Sequence, residues 1–390
     1  MGDRYYFDHA GTSPLDEEVL QAMEPYFKEK FGNPSSIYQE GQQAERAVKR
    51  AREQVQNLIN AEDSREIIFT GSGTEADNLA IKGVAMARED RGRHIITSEI
   101  EHHAVLHTCE FLQDQLDFEV TYLSVDENGF IDLDELKDSI RSDTILITIM
   151  MANNEIGTIQ PVAEIAEIAR DNDIYFHTDA VQAAGQIELD VEELGVDLLS
   201  LSAHKINGPK GVGALYVRKG TKIVPQMTGG AQERKRRAST ENVPGIVGFG
   251  RAASLAQERL PEKREKMIEL RERIIEGVMD EIDEVILNGP RGENRLPNNV
   301  NFCFRYIEGE SILLNLDMHG IAASSGSACT SGSLDPSHVL LAIGLSHEVA
   351  HGSLRLTLGY NNTRDEVDYL LEVLPDVIQK LRDMSPLYEE

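Results

Sequence analysis

Short apolar runs rich in β-branched residues alternate with helical stretches between residues 66 and 217 of this 390-residue chain. Each run is long enough for one strand; the runs are residues 66–70, 94–98, 118–124, 144–151, 174–178, 198–202 and 214–217. Strands that alternate with helices form a largely parallel sheet with helices packed on its faces. The pattern therefore predicts an α/β fold for this part of the chain.

Helical periodicity marks the regions on both sides of these runs. Residues 42–59 carry apolar side chains at steps of three and four, which predicts an amphipathic helix. After Pro244 the pattern changes to a long, charged amphipathic helix, followed by a shorter set of strands and helices. A chain of this length favours two domains, so we expect a second, smaller domain there.

The charge balance excludes some functions. The formal net charge is −29, which opposes a general role in binding nucleic acid or anionic membranes. No run approaches the roughly 18 apolar residues of a membrane-spanning helix, and the first residues lack an apolar signal core. We therefore expect a cytoplasmic protein, whose acidic surface suits either an ordinary or a high-salt cytoplasm.

A Gly/Ser-rich turn follows the first strand. Residues 71–75 read Gly-Ser-Gly-Thr-Glu and lead into a helical run, so backbone N–H groups and the Thr74 hydroxyl meet at a helix N-terminus. This geometry suits a phosphate group. Taken alone, the same residues also fit an ordinary turn.

A lysine and an aspartate each end a predicted strand. Lys205 closes the run Ser-Ala-His-Lys, and Asp179 follows the strand that ends at Thr178. Ligands of open parallel sheets lie at these strand ends. A lysine that forms a Schiff base and an acid that pairs with a ring nitrogen are what pyridoxal phosphate requires of a protein. The plainer alternatives are a lysine that reaches solvent and an aspartate that caps a helix.

Two further strand ends carry polar residues. Glu-His-His follows the strand at 94–98, and one of its histidines, which point in different directions, could stack on a cofactor and transfer protons. Asn-Asn-Glu-Ile-Gly follows the strand at 144–151, and either asparagine alone also fits a turn. Histidines and cysteines do not recur at ligand spacing, so an intrinsic metal is not expected.

One of the three cysteines lies among small residues. Cys329 stands within Ser-Ser-Gly-Ser-Ala-Cys-Thr-Ser-Gly-Ser, which predicts a mobile loop that exposes its thiol as a nucleophile. The alternative is a linker with an incidental cysteine. Cys109 and Cys303 lie in apolar contexts and are expected in the core, and an odd count of three argues against a disulfide framework.

Together the motifs resemble those of group I (NifS/IscS-like) cysteine desulfurases of the class V aminotransferase family. In chain order they are GSGTEADNLA, EHHAV, NNEIG, HTDAVQAAG, SAHKINGPKG and SSGSACTSGS. The resemblance implies the PLP-dependent transferase fold type I (aminotransferase-like), with a large, mostly parallel sheet domain at 15–258. It also implies a smaller α+β domain, formed by 1–14 together with 259–390, and a homodimer.

The resemblance also implies roles for individual residues toward pyridoxal 5'-phosphate. Lys205 would form the Schiff base, Asp179 would pair with the pyridine nitrogen, and Gln182 would bond the ring hydroxyl. His102 would stack on the ring and transfer protons. The phosphate would be held by Gly73, Thr74, Ser202 and His204, and by Thr240 of the other subunit.

The implied reaction is the conversion of L-cysteine to L-alanine. Asn154 and Arg355 would lie near the substrate carboxylate, and Asn154 would also contact the cofactor. Cys329 would take the sulfur as a persulfide for an iron–sulfur scaffold protein or another acceptor, tRNA thiolation included, and is a candidate transient cluster ligand. A selenocysteine lyase, an aminotransferase and a non-catalytic sulfur carrier remain alternatives. Ser239 stands where the family usually has glycine, which puts the Thr240 contact in question if the backbone there needs a positive φ.

Overall fold

The computed structural model describes residues 4–325 and 336–388. The strands are β1 Tyr5–Tyr6, β2 Ile67–Thr70, β3 His94–Ser98, β4 Glu119–Leu123, β5 Thr144–Thr148, β6 Tyr175–Asp179, β7 Leu198–Ser202, β8 Gly213–Val217, β9 Val285–Leu287, β10 Asn299–Phe304, β11 Ile321–Ala322 and β12 Ser353–Thr357. The predicted strands at 94–98 and 198–202 are confirmed to the residue. The predicted strand at 144–151 was too long, because it ends at Thr148.

Helices connect most of these strands. They are α1 Glu17–Met23, α2 Pro25–Lys28, α3 Gln39–Leu58, α4 Gly73–Ala87, α5 His103–Leu116, α6 Leu133–Ser139, α7 Val162–Asp171, α8 Val191–Leu194, α9 Val243–Glu281, α10 Gly309–Met318, α11 His338–Ala342, α12 His347–His351 and α13 Arg364–Asp383. Short 3-10 helices cover Ser64–Glu66, Ala203–Lys205, Gln232–Lys235 and Gly292–Asn294. Within the described ranges, no helix has the length and apolar character needed to cross a bilayer.

The large sheet has seven strands in the order β2-β8-β7-β6-β5-β3-β4. Only β8 runs against its neighbours, so the carboxyl ends of the other six strands meet at one edge. Side chains of a strand point alternately to its two faces. Ile67 and Phe69 therefore face the layer of α3 and α9, whereas Ile68 faces α4 and α5. This arrangement confirms the predicted mostly parallel α/β sheet.

Both ends of the chain contribute to a second apolar cluster. It surrounds the antiparallel sheet β12-β10-β9 and packs Phe7 against residues of α9, α10 and α13. Strand β1 pairs with β11, and Asp8 then bridges to Thr357, which brings the N-terminal segment beside β12. The domain boundary after residue 258 stays a prediction, since α9 runs continuously through it.

Candidate active site

A cavity of about 400 Å³ opens at the edge of the large sheet where the parallel strands end. It is lined by nearly all of the residues that the sequence predicted for a cofactor or substrate. These are Gly73, Thr74, His102, Asn154, Asp179, Gln182, Ser202, His204, Lys205 and Arg355. The fold thus brings together side chains from six separate segments of the chain.

The turn between β2 and α4 forms one wall of the cavity. Ser72 caps α4, because its hydroxyl accepts a hydrogen bond from the Glu75 N–H at 3.1 Å. Gly73 begins the helix and is buried, and a Cβ atom at this position would lie 2.9 Å from Cγ2 of Val181. Ser72, Gly73 and Thr74 all line the cavity, so the first N–H groups of the helix lie at its wall, where an anion can bind.

Lys205 reaches the cavity from the short helix that follows β7. Its Nζ donates hydrogen bonds to the carbonyl oxygens of Ala10 and, at 2.8 Å, of Gly11. The side chain is half-buried. Lys205 is the last residue of this short helix and lies beyond the end of the fully buried strand β7.

Asp179 is the last residue of β6 and is almost fully buried. Its carboxylate accepts a hydrogen bond from the Val181 N–H at 2.9 Å. Burial raises the pKa of Asp179 to about 6, although that hydrogen bond and the charge of Lys205 oppose the rise. The buried Asp77 also lines the cavity, and burial together with the Asp179 charge raises its pKa well above the usual range. Two buried carboxyl groups thus lie at this part of the cavity.

His102 caps the N-terminus of α5. Its Nδ1 accepts a hydrogen bond from the Ala104 N–H at 3.1 Å, so a neutral ring carries its proton on Nε2. Burial and the neighbouring charge of Lys205 lower the pKa of His102 to about 4. His204 is lowered to a pKa of about 4 by burial as well, and its Nδ1 lies 3.1 Å from the Thr12 hydroxyl. Both imidazoles are therefore neutral near pH 7 in this protein.

Arg355 is a buried cation at the rim of the cavity, and it lies on β12. Its guanidinium donates to the carboxylate of Asp8 at 2.9 Å and to the carbonyl oxygen of Asn154 at 3.1 Å. The adjacent Asn153 is a turn residue, because its side-chain oxygen accepts from the Glu155 N–H at 2.8 Å. The sequence did not decide which of the two asparagines belongs to the site. In the structure Asn154 lines the cavity, whereas Asn153 stabilises the turn.

Four further residues were predicted to contact the cofactor or to accept the sulfur. Gln182 donates from Nε2 to the Ala10 carbonyl at 3.1 Å, and Ser202 is buried at the end of β7. Thr240 is exposed and is not among the residues that line the cavity in the described chain. Cys329 lies outside the described residues, so its role stays a prediction.

Ser239, next to Thr240, has a φ of +131°, a region that favours glycine. We expect Ser239→Gly to raise the free energy of unfolding by about 1 kcal/mol, because it removes the strain of a side chain in this conformation. Urea denaturation would measure the change. Ser239→Ala keeps the Cβ atom and is the matched control, so equal stability of the two variants would contradict this interpretation.

Sequence reasoning missed Asp8 and Asp77 as cavity residues. Asp77 carries a recognisable signal, because it is a charged residue on the buried face of α4. One of its carboxylate oxygens has no hydrogen-bond partner among the described residues. Asp8 gave no local signal, since only the pairing of the N-terminal segment with Thr357 brings it to Arg355.

Known proteins match this chain along nearly its whole length. The family model for aminotransferase class-V covers residues 5–370. The chain belongs to the aminotransferase class-V family. Cysteine desulfurase IscS of Clostridium botulinum is 56% identical over 391 residues, which cover 100% of this chain and 98% of that protein.

Solved structures also match this chain along most of its length. A NifS-like protein has a TM-score of 0.91 and 40% identity, covering 97% of this chain and 100% of the other. SspA, solved in complex with cysteine, has a TM-score of 0.80 and 39% identity, covering 91% and 98%. The predicted aminotransferase-like fold is therefore confirmed, and this class-V chain is similar to IscS- and NifS-like proteins.

Proposed function

We propose that this chain is a cysteine desulfurase that uses pyridoxal phosphate to convert L-cysteine to L-alanine. The observation that carries the proposal is the cavity in which Lys205, Asp179 and Arg355 meet at one edge of the sheet. The likeness to cysteine desulfurase IscS and to SspA in complex with cysteine supports L-cysteine as the substrate. The group I motif around Cys329 supports this cysteine as the sulfur acceptor.

The residues of the cavity fit pyridoxal phosphate. Lys205 offers an amine for its aldehyde, and Asp179 offers a buried carboxylate for its pyridine nitrogen. Ser72, Gly73 and Thr74 line the cavity at the start of α4, where the free N–H groups of a helix can bind the phosphate. When bound, the cofactor supplies an electron sink for the electron pair left by the α-proton of the substrate.

The protein side chains would bind the substrate and move its protons. Arg355 can bind the substrate carboxylate as a charge-assisted hydrogen-bond donor, in competition with Asp8. The amine of Lys205 can take the α-proton and return it to the product. The neutral ring of His102 can lie against the cofactor without placing a second positive charge beside Lys205.

The sulfur then passes to Cys329. The Cys329 thiolate attacks the sulfur of the bound cysteine, and a sulfur–sulfur bond forms as the carbon–sulfur bond breaks. The electron pair of the broken bond goes to the carbon fragment, which is protonated and leaves as alanine. One cysteine and one protein thiol thus give one alanine and one persulfide, with no external oxidant.

Reconstitution tests the proposed activity. Purified protein mixed with pyridoxal phosphate should turn yellow, lose its visible band on borohydride reduction, and form alanine and sulfide in equal amounts from L-cysteine and a thiol reductant. A colourless protein that cannot be reconstituted would contradict the proposal. Formation of alanine from L-selenocysteine but not from L-cysteine would favour a selenocysteine lyase instead.

Arg355→Gln is expected to raise KM for L-cysteine by roughly 10- to 100-fold, because it removes one charged hydrogen bond to the substrate carboxylate. The change should appear mainly in KM, and steady-state kinetics would measure it. Arg305→Gln is a control, since Arg305 pairs with Glu284 away from the cavity. An unchanged KM in Arg355→Gln would contradict the assignment.

We further propose the cellular setting of the reaction. The chain acts as a cytoplasmic homodimer in which Thr240 of one subunit completes the phosphate site of the other. The exposed position of Thr240, outside the cavity of its own chain, supports this arrangement. The persulfide sulfur goes to an iron–sulfur scaffold protein or to another acceptor.

A further inference from the structure

The described chain is firmly attached on both sides of the segment that contains Cys329. Before this segment, Ser324 pairs with Arg355 through backbone hydrogen bonds of 3.2 and 2.6 Å. After it, the Ser337 hydroxyl donates to a carboxylate oxygen of Glu155 at 2.5 Å. The same hydroxyl accepts from the N–H groups at the start of α11, so Ser337 both caps this helix and donates a hydrogen bond to Glu155.

Glu155 is held rigidly. It is only 5% exposed, and Asn153 accepts a hydrogen bond from its N–H at 2.8 Å. Its carbonyl oxygen accepts from the side-chain amides of Asn299 and Asn301, both at 3.1 Å. A buried carboxylate costs free energy unless its partners compensate it. Burial raises the pKa of Glu155 to about 7, and the hydrogen bond from Ser337 and the charge of Arg355 oppose this rise, so Ser337 is one of the partners that compensate the buried carboxyl group.

The same short stretch of backbone is also attached to the substrate site. Arg355 donates to the carbonyl oxygen of Asn154, the residue immediately before Glu155. One turn therefore contacts Arg355 on one side and Ser337 on the other. The neighbouring His338 adds a second attachment, because its Nε2 lies 3.0 Å from the carbonyl oxygen of Glu101, next to His102.

We propose that Glu155 is a positioning residue for sulfur transfer, which fixes the chain at Ser337 relative to Arg355 and hence relative to the bound substrate. The proposal rests on the proposed desulfurase function. Cys329 precedes Ser337 in the sequence, so the chain that carries its thiol is attached at Ser337. Glu155 does not line the cavity, and substrate binding and α-proton removal should not depend on its carboxylate.

Two variants remove the contact, and Ser337→Ala also removes the cap of α11. Glu155→Met keeps the length of the side chain but has no acceptor, and Ser337→Ala has no donor. In single turnovers with L-cysteine, we expect each to slow persulfide formation by about tenfold or more, as displaced reactants do. Glu155→Gln keeps an acceptor oxygen and should restore a rate close to that of the native chain. The double variant Glu155→Met/Ser337→Ala should be no slower than either single variant.

A second reaction separates positioning from general damage. Exchange of the α-hydrogen of L-alanine with solvent deuterium uses the cavity but not Cys329, and it should stay within twofold of the native rate in all these variants. Ser346→Ala is the matched control, because it also removes a helix cap. The Ser346 hydroxyl caps α12 by accepting from the Val349 N–H, and among the described residues it makes no other side-chain hydrogen bond. It should change neither reaction.

Three outcomes would overturn the proposal. These are native rates of persulfide formation in Glu155→Met and Ser337→Ala, a parallel loss of deuterium exchange and persulfide formation, and a Glu155→Gln variant as slow as Glu155→Met. Failure of the proposed function itself looks different. In that case the native chain forms neither alanine nor persulfide from L-cysteine, whatever the variants do.

Discussion

Lys205→Ala is expected to lower kcat/KM for L-cysteine by roughly 10⁴-fold, the upper end of what a positioned acid–base residue contributes. Lys205 is proposed to hold the aldehyde of the cofactor and to move the α-proton. In the structure its amine already lies in the cavity, where it donates to the carbonyl oxygens of Ala10 and Gly11. Alanine formation measured against enzyme concentration would give the residual rate.

The control for this variant is Lys210→Ala. Lys210 lies in the loop that follows the same short helix, is exposed, and does not line the cavity. It should keep the native rate and the native visible spectrum. Protein with Lys205→Ala should still fold and show a shifted absorbance band with pyridoxal phosphate. A rate within tenfold of the native one would show that Lys205 does not perform these steps.

Cys329→Ser is expected to reduce sulfide release from L-cysteine by on the order of 10³-fold or more, as loss of a nucleophile does. A hydroxyl is a much weaker nucleophile toward sulfur than a thiolate, so the carbon–sulfur bond would remain intact. Cofactor binding and deuterium exchange at the α-carbon should persist, because neither requires the thiol. Sulfide assays and exchange measured by mass spectrometry would separate the two effects.

The other two cysteines provide matched controls. Cys109 is fully buried on α5, and burial raises its pKa. Cys303 is buried on β10, where it accepts from the Asn288 amide, and burial raises its pKa to about 12. Serine at either position should cost stability but leave sulfide release unchanged. Full activity of Cys329→Ser would favour the lyase alternative.

Local patterns predicted the large sheet well because its strands are buried on both faces. Continuous apolar runs bounded by turns mark such strands, and β3 and β7 occupy the predicted residues. The run at 144–151 was predicted too long because strand pairing becomes one-sided after Thr148, although Ile149 and Met151 still donate backbone hydrogen bonds to β6. On the other side, the Met150 N–H donates to the buried carboxylate of Glu101 at 2.9 Å.

The second part of the fold was less predictable from local patterns. Strand β1 has two residues and pairs with β11 near the other end of the chain. A pair of this kind leaves no periodic pattern in the sequence. The same long-range pairing brings Asp8 to Arg355, so the partner of the predicted carboxylate-binding arginine could not be found without the structure.

The most direct test of the proposed function is the mass of the peptide that contains Cys329 after incubation of the reconstituted protein with L-cysteine and no reductant. We predict that this peptide gains one sulfur atom, that the peptides of Cys109 and Cys303 do not, and that alanine appears in equal amount. Alanine formation with no added sulfur on Cys329, or sulfur added equally to all three cysteines, would contradict the proposed role of Cys329.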